Sequence, residues 1–344
     1  MKTYKTPEQQ LNILSNNHKL LTNGQEKIAI SMLKNYGYHE IVNGYQDVFK
    51  QDHNLSENFD KNTTFVDLAN MFYLDMQLRA VLRTAIEQFE MTFKETVSEC
   101  IAQKYGENDT VHLNRKIFRS GKFHKSKQGK PYSDLDWLQG RIRHALKSQD
   151  GLIEHHRLKG NIPPWILFKQ LSFGEIKTYF ALLNDSHLKD SIIRRMLQPE
   201  FIKSSNMGNS KTFLIELINL VHLFRNRALH ANRIFNYAPM DKYGNSSINV
   251  VKQIFPDVFD SVDYSDGIGR TGIYALILGF STLNNSDPFT TLEDYIDNSF
   301  LAKFNEPKYL IFISMSLKYP LNFLDFDKYL VQDVKPPIQA KKHY

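Results

Sequence analysis

Residues 63–93 read TTFVDLANMFYLDMQLRAVLRTAIEQFEMTF. Apolar side chains recur at Phe65, Leu68, Met71, Phe72, Met76, Leu78, Val81, Leu82, Ile86, Phe89, Met91 and Phe93, mostly three or four residues apart. That spacing follows the 3.6-residue turn of an α-helix and not the two-residue alternation of a strand. Extended to Tyr105, it predicts a principal core helix over Thr64 to Tyr105.

The same period governs the chain on both sides, and sustained alternation is scarce, so the expected fold is mostly α. Pro7 to Leu21 reads as a first helix, with Thr6 as N-cap and Pro7 in the first turn. Asn23 to Tyr45 reads as a second, ending around the breakers Tyr36-Gly37 and Gly44. Helical patterns return at Ser133 to Ser148, at Trp165 to Leu171 after Ile162-Pro163-Pro164, at Phe173 to Leu183 and at Lys189 to Leu197. Lys211 to Asn236 is long and strongly apolar on one side, through Phe213, Leu214, Leu217, Ile218, Leu220, Val221 and Phe224, with Pro239 and Gly244 ending it. Ile273 to Leu283 and Tyr309 to Lys318 give two further helices, and the tail KPPIQAKKHY is expected to fray. No internal repeat is visible.

The 344 residues, 42% hydrophobic, suffice for a sizeable core in one or two domains. Cys100 is the only cysteine, so no intramolecular disulfide can form and a zinc site would rest on His, Asp and Glu alone. The start MKTYKTPEQQLNIL lacks the features of a secretory signal, and no run of about eighteen apolar residues follows. A cytoplasmic protein without a membrane partner is expected. The net charge of +6 mildly favours polyanionic partners without choosing between nucleic acid and anionic lipid. From Val111 to Pro131 stand seven basic residues, Arg115, Lys116, Arg119, Lys122, Lys125, Lys127 and Lys130, and no acidic one. Ser120-Gly121 and Gly129-Lys130-Pro131 make this stretch an exposed loop or hairpin rather than core, either an RNA-contact loop or a solvated surface, with Phe118, Phe123 and Tyr132 as the candidate base-stacking rings among the cations.

The residues best suited to chemistry lie in the second half of the long helix: Phe224-Arg225-Asn226-Arg227-Ala228-Leu229-His230-Ala231-Asn232-Arg233. On a continuous helix Asn226, Arg227, His230 and Arg233 share a face, and Arg225 stands about 140° round from His230. Cleaving RNA without a metal needs a base for the 2′-OH proton, an acid for the leaving 5′-oxygen and positive donors for the phosphorane. Histidine can serve in either proton role, and arginine holds two phosphate oxygens at once. Spacing alone is weak evidence, because Arg119 to His124 repeats it inside the basic loop and the bland reading is a solvated helix end. Asp266-Gly267-Ile268-Gly269-Arg270-Thr271-Gly272 contains a Gly-x-Gly-x-x-Gly, but without a leading strand it reads as a loop before a helix. His155-His156 beside Glu154 lacks a third ligand in range, so neither metal nor cofactor is expected.

The segment RNRALHANRIFN resembles the Abi family of abortive-infection proteins, in its AbiD/AbiF group, whose helix reads Arg-Asn-x-x-x-His-x-x-Arg. Three other stretches agree in order: TPEQQLNIL with LKNYGYHEIVNGY (Tyr36, Tyr38, Tyr45), the long helix with Asp75, Leu78, Arg79 and Ile86-Glu87, and IPPWILFKQLSFGEIKTYFALL with Pro164, Trp165, Ser172, Phe173 and Gly174. The resemblance covers roughly residues 7–240. It implies a helical bundle of the HEPN superfamily over 1–240, with the basic loop at about 106–132 and a C-terminal helical extension over 241–344. It further implies a homodimer whose Arg-x4-His helices face each other, Arg225 contacting phosphate, His230 acting as general acid or base, and Asn226 positioning one of them. Family members commonly carry a second histidine where Ala231 stands. Glu87 and Glu90 are candidates to orient Arg225 or Arg79, or else exposed helix carboxylates. Arg227 and Arg233 join the basic loop as RNA-contact candidates, and a structured antitoxin RNA is a possible further partner. The function expected is that of a metal-independent endoribonuclease toxin. The alternatives are an RNA-binding or protein-interaction dimer of the same fold that does not cleave, and a helical scaffold.

Overall fold

The helix that the opening stretch predicts is the axis around which the chain is arranged. The computed structural model describes residues 4–22, 24–50, 57–239, 248–249, 265–304 and 306–319. Among these, fourteen α-helices and one hairpin form the regular structure: α1 (Pro7–His18), α2 (Glu26–Tyr36), α3 (Tyr38–Tyr45), α4 (Phe65–Tyr105), α5 (Asp109–His112), β1 (Phe123–Lys125), β2 (Pro131–Ser133), α6 (Asp134–Leu146), α7 (Gly151–Leu158), α8 (Pro164–Gln170), α9 (Phe173–Leu182), α10 (Ser186–Met196), α11 (Pro199–Leu229), α12 (Gly272–Ser281), α13 (Asp287–Tyr295) and α14 (Pro307–Leu317). The fold is a mostly α bundle, as the periodicity predicts.

Helix α4 starts at a capping box in which the Thr64 N–H donates to Asp67 Oδ2 at 2.7 Å, and it stops at Gly106, whose φ of 79° few other residues adopt at low cost. Its 41 residues span about 60 Å. Leu68, Phe72, Leu82, Phe89, Phe93 and Ile101 are all buried, and α3, α8, α10, α11 and α13 pack along it. The basic stretch closes as an antiparallel hairpin, Phe123 opposite Ser133 and Lys125 opposite Pro131. Gly121 is required at its base: with φ of 73°, a Cβ there would meet Asp134 at 2.5 Å and Leu182 at 2.8 Å.

Several boundaries differ from the sequence reading. The second helix is divided at Gly37 (φ 85°) into α2 and α3. Gly151–Leu158 and Asp287–Tyr295 are helices that the apolar period alone did not reveal. The Gly-x-Gly-x-x-Gly stretch is a turn leading into α12, where Gly267, Gly269 and Gly272 all have positive φ and Gly272 lies against the backbone of Leu317. Asn23, Gly244 and the KPPIQAKKHY tail lie outside the described residues. The largest difference concerns the long helix of the Arg-x4-His spacing. It begins at Pro199, breaks at Asn206 (φ 64°), whose Oδ1 accepts the Asn209 N–H at 3.0 Å, and ends at Leu229 rather than Asn236.

The early stop has an identifiable cause in α4. Asp75, with no exposed surface, accepts the backbone N–H of Phe235 at 2.9 Å, that of Ile234 at 3.1 Å and the Tyr45 hydroxyl at 2.8 Å. Arg79, one turn on, pairs with Asp75 at 3.3 Å and donates to the carbonyls of Ala231 at 3.1 Å and Asn232 at 3.3 Å. Burial pushes the Asp75 pKa up, while Phe235, Tyr45, Arg79 and Ile234 pull against it. Burial and the adjacent Asp75 raise the Tyr45 hydroxyl's pKa far above its ordinary value, so it stays a donor. Removing one partner of a buried pair leaves the other uncompensated. Asp75→Ala is therefore expected to lower unfolding stability by about 3–5 kcal/mol in a denaturant titration, far more than a surface Asp→Ala control.

Candidate active site

The C-terminal half of α11 is held by its apolar face, where Val221, Phe224 and Ala228 are buried, and this leaves Asn226 and Leu229 exposed with His222 and Arg225 partly so. His230 is the cap residue, with φ −89° and ψ 16°, its N–H donating to Asn226 O at 3.3 Å. Ala231 then takes the left-handed conformation (φ 56°), and its N–H returns to Ala228 O. A non-glycine residue there costs about 1 kcal/mol, and Arg79 on the Ala231 carbonyl holds it in place. The His230 side chain is exposed at the end of the helix and bonds to no other described residue.

Arg225 meets the axial helix. Its Nε donates to Glu90 Oε2 at 2.9 Å, and Glu90 also pairs with Lys94 at 2.9 Å. Of the two carboxylates that the sequence put forward, Glu90 orients Arg225 and Glu87 is exposed. Because the bond runs through Nε, the terminal Nη1 and Nη2 have no partner among the described residues and form an oriented, two-pronged cation beside the helix end.

The sequence reading missed His222 and Lys177. His222 lies one turn before Asn226, its Nε2 at 3.4 Å from the Asn226 amide and its Nδ1 at 3.0 Å from Lys177 Nζ. Lys177 Nζ and the Asn226 amide nitrogen are both donors, and a neutral imidazole has one acceptor nitrogen, so the ring accepts from one of them at a time. Burial, with Lys177 and Arg225 nearby, lowers the His222 pKa and keeps the ring neutral; burial also lowers that of Lys177. Phe173 packs edge-on against the imidazole, and Gly174 admits it, since a Cβ there would stand 3.3 Å from Nε2. The i, i+4, i+8 series His222, Asn226, His230 was readable from spacing, but the pairing with α9 was not.

Arg227 and Arg233 are placed differently from the expected shared face, because the helix does not continue through them. Arg227 Nε donates to Arg233 O at 3.0 Å and its guanidinium covers Tyr237 at 4.9 Å. Arg233 donates to the carbonyls of Gly44 and Asn43 and lies over Tyr45. In the basic stretch, Arg115 pairs with Asp136 at 2.8 Å and Gln139 at 2.7 Å, and Arg119 donates to Ala181 O at 2.9 Å. His124 pairs with Asp134 at 2.7 Å, so the second Arg-x4-His does not form one site. Lys116, Lys122, Lys125, Lys127 and Lys130 are exposed, their ammonium groups bonded to no described residue. Phe123 is 75% exposed, whereas Phe118 is buried against Tyr179, so it is core and not a stacking surface.

Among the described residues no group of three His, Cys, Asp or Glu side chains could hold a metal ion, and no helix is long and apolar enough to cross a membrane. Comparison with curated proteins and with solved structures gives no match. The sequence model of the family described as Abi-like protein matches residues 31–236, which take in α4, the basic hairpin, α9 and the helix that presents His230. With more than half of its length matched in this way, the chain belongs to the Abi-like protein family.

Proposed function

We propose that this chain is a metal-independent endoribonuclease of an abortive-infection, anti-phage or toxin–antitoxin system, with Arg225, Asn226 and His230 as its catalytic residues. The placement of Arg225 carries this reading: Glu90 holds its Nε, and its two terminal nitrogens have no partner among the described residues, on the helix whose end exposes His230. In the reaction an imidazole takes the proton of a ribose 2′-OH while the 2′-oxygen bonds to phosphorus. The 5′-oxygen leaves with a proton from an acid, giving a 2′,3′-cyclic phosphate and a 5′-hydroxyl. Arg225 offsets the charge that builds on the phosphorane, and Asn226, steadied by His222, positions the reacting groups.

Two proton transfers need two groups, and His230 is one. The reading therefore places two copies of the chain with their α11 ends facing each other, the homodimer of the HEPN bundle that the AbiD/AbiF resemblance implies. Exposed apolar side chains on the elements that carry Arg225 and Glu90 favour such cover: Leu229 is 54% exposed, Leu223 40% and Met91 64%. Arg227 and Arg233 act in this reading by bracing the turn that carries His230. RNA contacts fall to Lys116, Lys122, Lys125, Lys127 and Lys130, which also form the surface for a structured antitoxin RNA. Such an enzyme would work in the cytoplasm, where its substrate is. The same free lysines favour one alternative, a module that holds RNA without cutting it, since phosphate binding there needs no histidine.

Incubating cellular RNA with the purified wild type and with His230→Ala separates these readings. The variant is expected to lose cleavage by at least about 100-fold while its RNA affinity stays within a factor of two; equal cutting by both would remove His230 from the mechanism. Glu90→Gln frees the Arg225 fork and is expected to lower the cleavage rate constant by up to about 100-fold with little change in half-saturating RNA. Changing Lys125, Lys127 and Lys130 together to Gln should flatten the log–log salt dependence of RNA binding by about 2, at about 0.7 per phosphate contact on single strands.

A further inference from the structure

A groove of about 650 Å³ opens between the hairpin, α9 and α11, within the size range of small-ligand sites. Its rim carries Lys122, His124, Tyr132, Trp137, Lys177 and Asn219, over a floor that includes Phe180 and Ile218. Trp137 is 41% exposed, and among the described residues it stacks on no ring and its indole N–H has no partner. Tyr132 and His124 lie side by side with ring centroids 5.3 Å apart and planes tilted by 32°, a second aromatic surface. Asp134 is the one acid among the lining residues, and both its oxygens are engaged: Oδ2 accepts the Lys122 N–H at 2.6 Å and Oδ1 pairs with the His124 ring at 2.7 Å. Two cationic ammonium groups and free aromatic faces thus line a pocket with no unengaged acid.

The groove is also connected to the candidate active site. Lys177 lines it and bonds His222 Nδ1 at 3.0 Å. Asn219, exposed on α11, precedes His222 by three residues and His230 by eleven, which on a helix is about 16 Å along the axis. A nucleotide seated in the groove is therefore a few nucleotides from a phosphate at Arg225 and His230.

From this arrangement we infer that the groove is a base-selecting subsite: it takes one unpaired nucleobase of the RNA against Trp137 and the Tyr132–His124 platform, with flanking phosphates on Lys122 and Lys177 and the base edge on Asn219. The inference rests on RNA being the ligand, as proposed above, and not on its being cut. Rings stack on a base only when its face is free, so the subsite selects single strands over duplexes. It also fixes which phosphate reaches His230, making cleavage depend on a base some residues away from the cut.

The test uses the full chain carrying His230→Ala, titrated with short oligouridylate, oligoadenylate and an RNA duplex of equal charge while tryptophan fluorescence is followed. Single strands are expected to quench Trp137 and the duplex to leave it unchanged. Adding Trp137→Ala should weaken single-strand binding by roughly tenfold with duplex binding unaltered. Adding Asn219→Ala instead, a second exposed position, should narrow the difference between the two oligonucleotides. Unchanged single-strand affinity in the Trp137→Ala protein, or equal quenching by the duplex, overturns the subsite. Trp137-dependent binding, together with intact RNA after incubation with the chain that retains His230, upholds the subsite and removes the nuclease reading. Cutting by the chain that retains His230, with the same site preference with and without Trp137→Ala, does the reverse.

Discussion

The buried carboxylate of Asp75 sets the geometry on which the rest of the site depends. In a helix running on past Leu229, the N–H groups of Ile234 and Phe235 would bond to the carbonyls of His230 and Ala231. Asp75 takes both donors, and Arg79 takes the carbonyls of Ala231 and Asn232. Donors and acceptors of the next turn are thus both claimed by α4, and the helix must stop with His230 as its cap. Buried polar groups need such complete pairing, which is why one carboxylate and one guanidinium can decide where a helix ends.

The same face of α4 also serves the C-terminal half of α11. Asp75, Arg79 and Glu90 are separated by four and eleven residues, close to whole turns, so the helix that clamps the chain after His230 also holds Arg225 through Glu90. From the other side α9 contributes Lys177 and the Gly174 gap that together fix His222 beside Asn226. A rigid axis and a second helix therefore brace the outward face of α11, the condition under which positioned charge is most effective in the proposed reaction.

What the sequence disclosed follows from how local each signal is. The helix from Phe65 to Tyr105 was legible because its period, its Thr64 cap and its terminal Gly106 all lie within or beside it. The hairpin was foreshadowed by Gly121 and Gly129. The end of α11 was not legible: Ala231 to Asn236 contains neither proline nor glycine, and the residue that stops the helix is 159 positions from Ile234. Arg227 and Arg233 accordingly looked like members of an exposed face, whereas they brace the turn. Glu90 could be named from the sequence only as one of two candidates, because choosing between them needs the rotation of α4 against α11. Phe118 looked exposed among cations and is core because Tyr179 packs on it.

Oriented positive charge, an exposed imidazole at a helix end and a lysine-bearing hairpin joined to it by an aromatic groove are the features on which the proposed RNA cleavage rests. The proposed chemistry is phosphate transfer by protein groups alone. The most direct measurement is therefore the end chemistry of RNA fragments made by the wild-type chain in EDTA, read by mass spectrometry. Fragments ending in 2′,3′-cyclic phosphate, with 5′-hydroxyl partners, are the predicted result. Fragments with 3′-hydroxyl and 5′-phosphate ends that appear only when a divalent cation is restored would contradict it.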